Sequence, residues 1–346
     1  MLPSKPLLLI FLFPALSGAA ERYAVSTSRA GGPGQIPLLV LRDTVAKLEA
    51  AVAPSKGGEL SSLTMERKGV PIELIYLARD YSPRSGFAGK AMFLWPATGP
   101  VVGNSWTHNG QTLPMPFHGF AKEAAWEVVE HVASPKSARA VLRLRDTPAS
   151  RESYPFGFTL TVTYELASGA LSIRYDVAAA QGNAGPMPFA IGNHMAFNLP
   201  PSGEGSAGKV VLETSCRDEI VRDAASLPTG TVRPWRGLPS LPIADIRAVP
   251  AISLANCGRT ARVALKDPAG VTVEITHQAD RLPKMPVVQF NLYGTAADGY
   301  FSPEPWVGLQ GGLNSGKGLT QVAAGEMWKW VVVVRASQPS ASKLLY

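Results

Sequence analysis

The sequence predicts an all-β protein, one large antiparallel β-sandwich, and three observations carry that expectation. Residues 158–166 alternate without a fault: Phe158, Leu160, Val162, Tyr164 and Leu166 stand against Thr159, Thr161, Thr163 and Glu165. That is the period of a strand with one buried and one wet face. The pattern returns after Ser168-Gly169 with Leu171, Ile173, Tyr175 and Val177, so the two runs read as a β-hairpin. The 33 Gly and 30 Pro, spread between many short apolar runs, favour turns over helices. Helix candidates are short, at residues 44–50 and 218–225, and neither carries an apolar stripe over three turns.

Each segment can be justified in turn. In residues 1–20, Lys5 precedes an apolar run over 7–16 and the small residues Ser17, Gly18, Ala19 and Ala20, the layout of a secretory signal peptide. The run is well short of the ~20 residues needed to span a bilayer. Export to a periplasmic or extracellular compartment is the expected fate, with no membrane attachment after cleavage. Residues 21–42 are polar and rich in Gly and Pro, and read as a flexible lead-in. A single sandwich domain is expected over 43–335, with a tail at 336–346. Runs at 43–54, 58–68 and 71–78 read as extended, followed by a polar loop at 80–89. Residues 139–145 make a further strand. Val263 and Leu265, the turn Asp267-Pro268-Ala269-Gly270, and Val271, Val273 and Ile275 make another hairpin. Residues 200–260, rich in Pro, Gly and Ser, read as an excursion over the surface. Residues 328–334 read as an apolar closing strand.

Charge and cysteine content exclude some functions. The formal net charge is +7, and Lys5 is the one charge in residues 1–20, so +6 remains after their removal. The cations are scattered, without the run or the aromatic alternation of a nucleic-acid surface. Two cysteines, Cys216 and Cys257, lie in loop-like sequence and could form one disulfide in an oxidising compartment. Neither has a second Cys or a His at metal-ligand spacing.

Three stretches hold proton-transfer groups among aromatic, Pro and Gly residues. His118 sits in Pro-Phe-His-Gly-Phe at 116–120. His194 lies in the run 187–199, where alternation places Ala190, Gly192, His194 and Ala196 on one face. Glu304 lies between Pro303 and Pro305, followed by Trp306. Small neighbours leave room beside the His194 ring, and the prolines hold the carboxylate on a rigid segment. Trp95 and Trp306 are candidate platforms for the apolar face of a sugar. His108, His131 and His277 are assigned no role.

Together these stretches resemble the aldose 1-epimerase (galactose mutarotase) family, most of all its bacterial branch with poorly assigned substrates. The resemblance runs through Gly57-Gly58-Glu59-Leu60 and Ser61-Ser62-Leu63, Leu94-Trp95-Pro96, and His118-Gly119-Phe120. It continues with Ile191-Gly192-Asn193-His194 through Phe197-Asn198, and with residues 301–306 and Gly308. It spans about residues 43–335. It implies the family's large antiparallel supersandwich and interconversion of the α and β anomers of a free aldose, by acid–base ring opening and reclosure. No metal or organic cofactor is implied. Glu304 maps to the base, His194 to the acid and His118 to the second sugar-binding histidine, with Asn198 among the sugar-binding positions. The sequence departs from the family pattern where Pro96-Ala97-Thr98-Gly99 is followed by Pro100-Val101, because an Arg is usual there. Lys122 stands where a second Arg is common, and Gln289 and Asn291 offer hydrogen bonds where members carry Asp. Two alternatives stay open: a carbohydrate-binding protein on the same fold without turnover, and a metal site of His118, His194 and Glu304. The expected partner is a small sugar, and the chain is a monomer or homodimer.

Overall fold

The computed structural model describes residues 21–29, 35–76 and 91–339. The expected signal peptide, the loop at 80–89 and residues 340–346 of the tail lie outside them. Strands dominate, and every strand-to-strand pairing is antiparallel. The hairpins expected from alternation are present: Phe158–Ala167 pairs with Ala170–Ala179, and Ala261–Lys266 with Thr272–Ala279. Both belong to a nine-stranded sheet in which Met327–Ser337 pairs with Thr272–Ala279 on one side and Ala170–Ala179 on the other. That last strand is not uniformly apolar. It alternates, with Trp328, Trp330, Val332 and Val334 buried and Lys329 exposed, because one face meets the core and the other meets water.

An eight-stranded sheet packs its inner face on this one. Phe93 stacks on Tyr175 with ring centroids 4.8 Å apart. Asn193 Nδ2 donates to the Tyr175 hydroxyl at 2.8 Å, and the His277 ring meets Phe290 edge-on. His277 is a structural histidine, as its strand setting suggested. Trp330 Nε1 donates to its Nδ1 at 3.0 Å, and its Nε2 lies 2.6 Å from the Gln289 carbonyl. Among the described residues no helix is long and apolar enough to cross a membrane.

Three expectations are corrected. The lead-in is not flexible where described: Tyr23–Arg29 pairs with Pro37–Asp43 in a five-stranded sheet. Leu39 and Leu41 enter the core, and Arg22 donates to both oxygens of Asp43 at 3.0 and 2.9 Å. An edge strand leaves half its side chains in water, so its sequence reads as polar. The helix candidates are also strands. Residues 44–47 form a turn in which Asp43 Oδ1 accepts from the Val45 and Ala46 amides, and Leu48–Ala53 follows. Asp218–Arg222 is likewise a strand. Lastly, residues 200–260 extend both sheets. Asp218–Arg222 and Ala248–Ala255 join the eight-stranded sheet, and Pro228–Pro234 forms its edge, where proline costs no ladder bond. Cys216 and Cys257 form a disulfide that clamps the start of one of these strands to the end of another.

Candidate active site

The outer face of the eight-stranded sheet carries the chemistry. In Tyr300–Gly308 the strand period turns Phe301 and Val307 into the core and Ser302, Glu304 and Trp306 to the other side. Cross-strand register then lines up Ser253, Asn291 and Glu304 on three neighbouring strands. Glu304 is 1% exposed. Asn291 Nδ2 donates to its Oε1 at 3.2 Å and Trp306 Nε1 to its Oε2 at 3.1 Å. The carboxylate is thereby oriented by two side chains of its own sheet.

His194 comes from the adjoining strand Ile191–His194, in which Asn193 points into the core and His194 away from it. Its Nε2 stands 3.5 Å from Glu304 Oε1. Gly192 pairs directly with Trp306, and a Cβ at Gly192 would sit 2.5 Å from the indole Cδ1. The small residue beside His194 therefore makes room for the indole that holds Glu304.

His118 is placed by a tight turn rather than by a strand. It has φ +65°, a left-handed conformation rare for a residue with a Cβ. Its amide donates to the Gly99 carbonyl at 3.1 Å, and the Gly99 amide donates to its Nδ1 at 2.9 Å. With Nδ1 accepting, the proton of the neutral ring sits on Nε2. Gly119 follows with φ +73°, and a Cβ there would lie 2.1 Å from the Trp95 carbonyl oxygen, so the turn requires glycine. The His118 and His194 rings meet edge-on with centroids 5.7 Å apart.

Burial is the largest influence on the titration of all three groups. It raises the Glu304 carboxyl well above the ordinary carboxylate range, while Asn291, Trp306 and the charge of Arg222 pull it back. Burial pushes His194 down to about 4. It lowers His118 as well, with help from His194 and Lys122. At neutral pH the two histidines favour their neutral forms, so the 3.5 Å contact of His194 with Glu304 is not an ion pair. It is also longer than a charge-assisted hydrogen bond.

His118, His194 and Glu304 line one open cavity of about 360 Å³, together with Asn291 and Trp306. That is within the size range of small-molecule sites. Four other expected residues do not line it. Trp95 is fully buried among Phe120, Tyr154, Phe158 and Phe189, because register turns Leu94, not Trp95, to the outer face. Gln289 accepts from the Cys257 amide at 2.9 Å and donates to the Gly258 carbonyl at 3.2 Å, since a bulge between Val288 and Phe290 breaks its alternation with Asn291. Asn198 donates to the carbonyls of Glu73 and Ile75 at 2.8 and 3.1 Å. Lys122 lies in the turn Ala121–Glu123, its Nζ 3.8 Å from Glu123 Oε1. Its charge reaches His118, but its side chain lines no part of the cavity.

The cavity also contains residues not foreseen. Phe117 stands at its mouth and Tyr293 meets His194 edge-on at 6.2 Å, supplying aromatic walls where Trp95 does not. Alternation from Asn291 leads to Tyr293, so that signal was in the sequence. Gln310 donates to Ser253 Oγ at 3.0 Å. Arg222 enters from the end of Asp218–Arg222, and nothing local in the sequence marks it. Four buried polar atoms without a hydrogen-bond partner belong to residues lining this cavity: His194 Nδ1, Arg222 Nη2, Asn291 Oδ1 and Gln310 Oε1. Such groups are costly unless a ligand or water completes them. Among the described residues no group of three His, Cys, Asp or Glu side chains is arranged to hold a metal ion.

Comparison with known proteins gives the family and the fold. The family model for aldose 1-epimerase matches residues 39–278, a span that holds His118 and His194 and ends before Glu304. No curated protein sequence matches the chain. Among solved structures, a Synechocystis sp. PCC 6803 protein is 24% identical, covering 90% of this chain and 99% of its own, with a TM-score of 0.69. A galactose mutarotase related enzyme from Lactobacillus acidophilus is 18% identical, covering 91% and 99%, with a TM-score of 0.71. A galactose mutarotase-like protein from Clostridium acetobutylicum is 17% identical, covering 91% and 99%, with a TM-score of 0.74. At these identities the likeness is one of fold.

Proposed function

The chain belongs to the aldose 1-epimerase family, and from that membership and its cleft we propose that it interconverts the α and β anomers of an aldose. The observation that carries this reading is the meeting of Glu304, His194 and His118, from three distant stretches, in one sugar-sized cavity. Opening a pyranose requires a base to remove the proton of the anomeric hydroxyl. The bond between the anomeric carbon and the ring oxygen then breaks, its electrons go to the ring oxygen, and an acid protonates that oxygen. Rotation about the first carbon–carbon bond and closure from the other side give the second anomer. No electrons are exchanged with an outside group.

Glu304 is the base in this scheme, His194 the acid, and His118 a donor through Nε2 to a sugar hydroxyl. Burial disfavours the charged form of both Glu304 and His194, and the working pair is an ionised Glu304 with the proton on His194. A substrate hydroxyl that donates to the carboxylate stabilises that ionised state.

The test is anomer interconversion, followed by exchange NMR on freshly dissolved glucose, galactose, xylose and arabinose. Acceleration over the spontaneous rate by the wild type, lost by a factor of about 10²–10⁴ in Glu304→Gln, is the expected result. Acceleration that survives Glu304→Gln removes Glu304 as the base. Saturable binding of these sugars without acceleration favours a carbohydrate-binding protein, a reading supported by the burial that raises the Glu304 carboxyl above the ordinary range.

We further propose that the protein is exported. The layout of residues 1–20 supports this, as does the Cys216–Cys257 disulfide, a bond that persists in oxidising compartments.

A further inference from the structure

The cleft has a neighbour. A second cavity of about 720 Å³, twice the volume of the first, shares with it a wall made of Arg222, Ser226, Pro250 and Ala251. Its far side is built from the edge strand Pro228–Pro234 and the segment after it, including Trp235 and Arg236, and from Arg247. The Trp235 indole is 8% exposed, and its Nε1 is buried without a hydrogen-bond partner.

The charges of this second cavity do not cancel. Arg233 is engaged by both oxygens of Glu219, at 3.0 and 2.8 Å. Asp223 is occupied by the amides of Ala225 and Leu227, each at 2.9 Å, in the turn that carries Ser226. Four guanidinium groups, Arg222, Arg233, Arg236 and Arg247, therefore line the cavity with three carboxylates, Glu219, Asp223 and Asp245, an excess of one positive charge. Arg222 is the residue common to both cavities, and its Nη2 lacks a partner.

We propose that the two cavities form one binding cleft for an acidic oligosaccharide. The reducing-end ring reacts at Glu304 and His194, the next sugar unit occupies the second cavity, and Arg222 at the junction receives a carboxylate of that unit. A free monosaccharide would leave the larger cavity and its excess guanidinium charge unused. A guanidinium matches a carboxylate with two parallel hydrogen bonds, and water exclusion at the junction strengthens that pair. The Cys216–Cys257 disulfide and the pairing of Asp218–Arg222 with Ala248–Ala255 hold Arg222 against the Pro250–Ala251 wall. This assignment rests on the reading that the reacting ring sits in the first cavity.

The experiment compares two reducing disaccharides that differ in one group, cellobiose and cellobiouronate, in which the non-reducing unit carries CH₂OH or COO⁻. Digalacturonate against 4-O-α-galactosyl-galactose extends the comparison to the galacto series, with galacturonate, glucuronate and glucose 6-phosphate as monosaccharide anions. Anomerisation is followed by exchange NMR for the wild type, Arg222→Met, Arg222→Lys and Arg236→Ala, each checked for folding by its thermal midpoint. The expected result is a kcat/KM at least tenfold higher for the acidic disaccharide in one series. Arg222→Met collapses that ratio towards one, Arg222→Lys keeps part of it, and Arg236→Ala reduces it. A ratio near one in the wild type of both series overturns the proposal while the mutarotase reading stands. So does a ratio that survives Arg222→Met. Glucuronate or glucose 6-phosphate served as well as the disaccharides would mean that the second cavity is not used, and would also overturn it. If no sugar is turned over, the mutarotase reading fails, and the same ratios measured as affinities by calorimetry decide the site.

Discussion

Glu304 sits under opposed influences whose balance sets its working pH. Burial raises its pKa, and the Asn291 and Trp306 hydrogen bonds and the charge of Arg222 lower it. A base must be deprotonated to act, so kcat/KM falls as pH drops through the Glu304 pKa of the free enzyme. Because that pKa is raised, the acid limb should lie above the ordinary carboxylate range near 4.3. Removing a nearby positive charge raises a carboxylate pKa further. Arg222→Met should therefore move the acid limb to higher pH, while Arg222→Lys should leave it near the wild-type position. A pH profile on one neutral sugar checks this, and an acid limb that stays in place in Arg222→Met would separate Arg222 electrically from the base. Glu304, His194 and His118 were legible in the sequence as candidates because each sits in a motif with its own local signature. Arg222 was not legible, because Val-Arg-Asp at 221–223 resembles many surface stretches and only its place in the sheet makes it special.

Among the elements, the strand Ile191–His194 does two jobs with alternate residues. Asn193 joins the core through Tyr175, and Gly192 and His194 shape the cleft. Gly192→Ala would place a methyl 2.5 Å from Trp306 Cδ1, forcing the indole away from Glu304. Misplacement of a catalytic group by about 1 Å can cost on the order of a hundredfold. A loss of kcat between about tenfold and a hundredfold is expected, with the protein still folded by circular dichroism. An unchanged kcat would show that Trp306 does not hold the base in place. The same strand period that exposes His194 explains the failure of Trp95 as a sugar platform, because Phe93 and Trp95 share the core side and Leu94 the outer side. For Gln289 the period was no guide, since the bulge between Val288 and Phe290 re-aims one residue without a mark in the sequence.

For the whole molecule, the two large sheets carry the site and residues 200–260 supply Arg222, Pro250 and Ala251 to one wall of the cleft. The disulfide within that region closes a separation of 41 residues, and by loop entropy such a bond contributes about 4 kcal/mol. Export would let it form. Intact mass of the protein recovered from a periplasmic or culture fraction should match a chain beginning near residue 21 with no free thiol. A full-length mass with two alkylatable cysteines would reject export. The sequence by itself determined the all-β class, the main hairpins and the three proton-transfer residues, because strand period and motif chemistry are local properties of the chain. Only the tertiary structure decided which polar side chains share a cavity, that Arg222 lines it, and that Lys122, Asn198 and Gln289 face elsewhere. Those outcomes depend on register, bulges and crossovers between strands far apart in the chain, where a shift of one residue reverses the side that a residue faces.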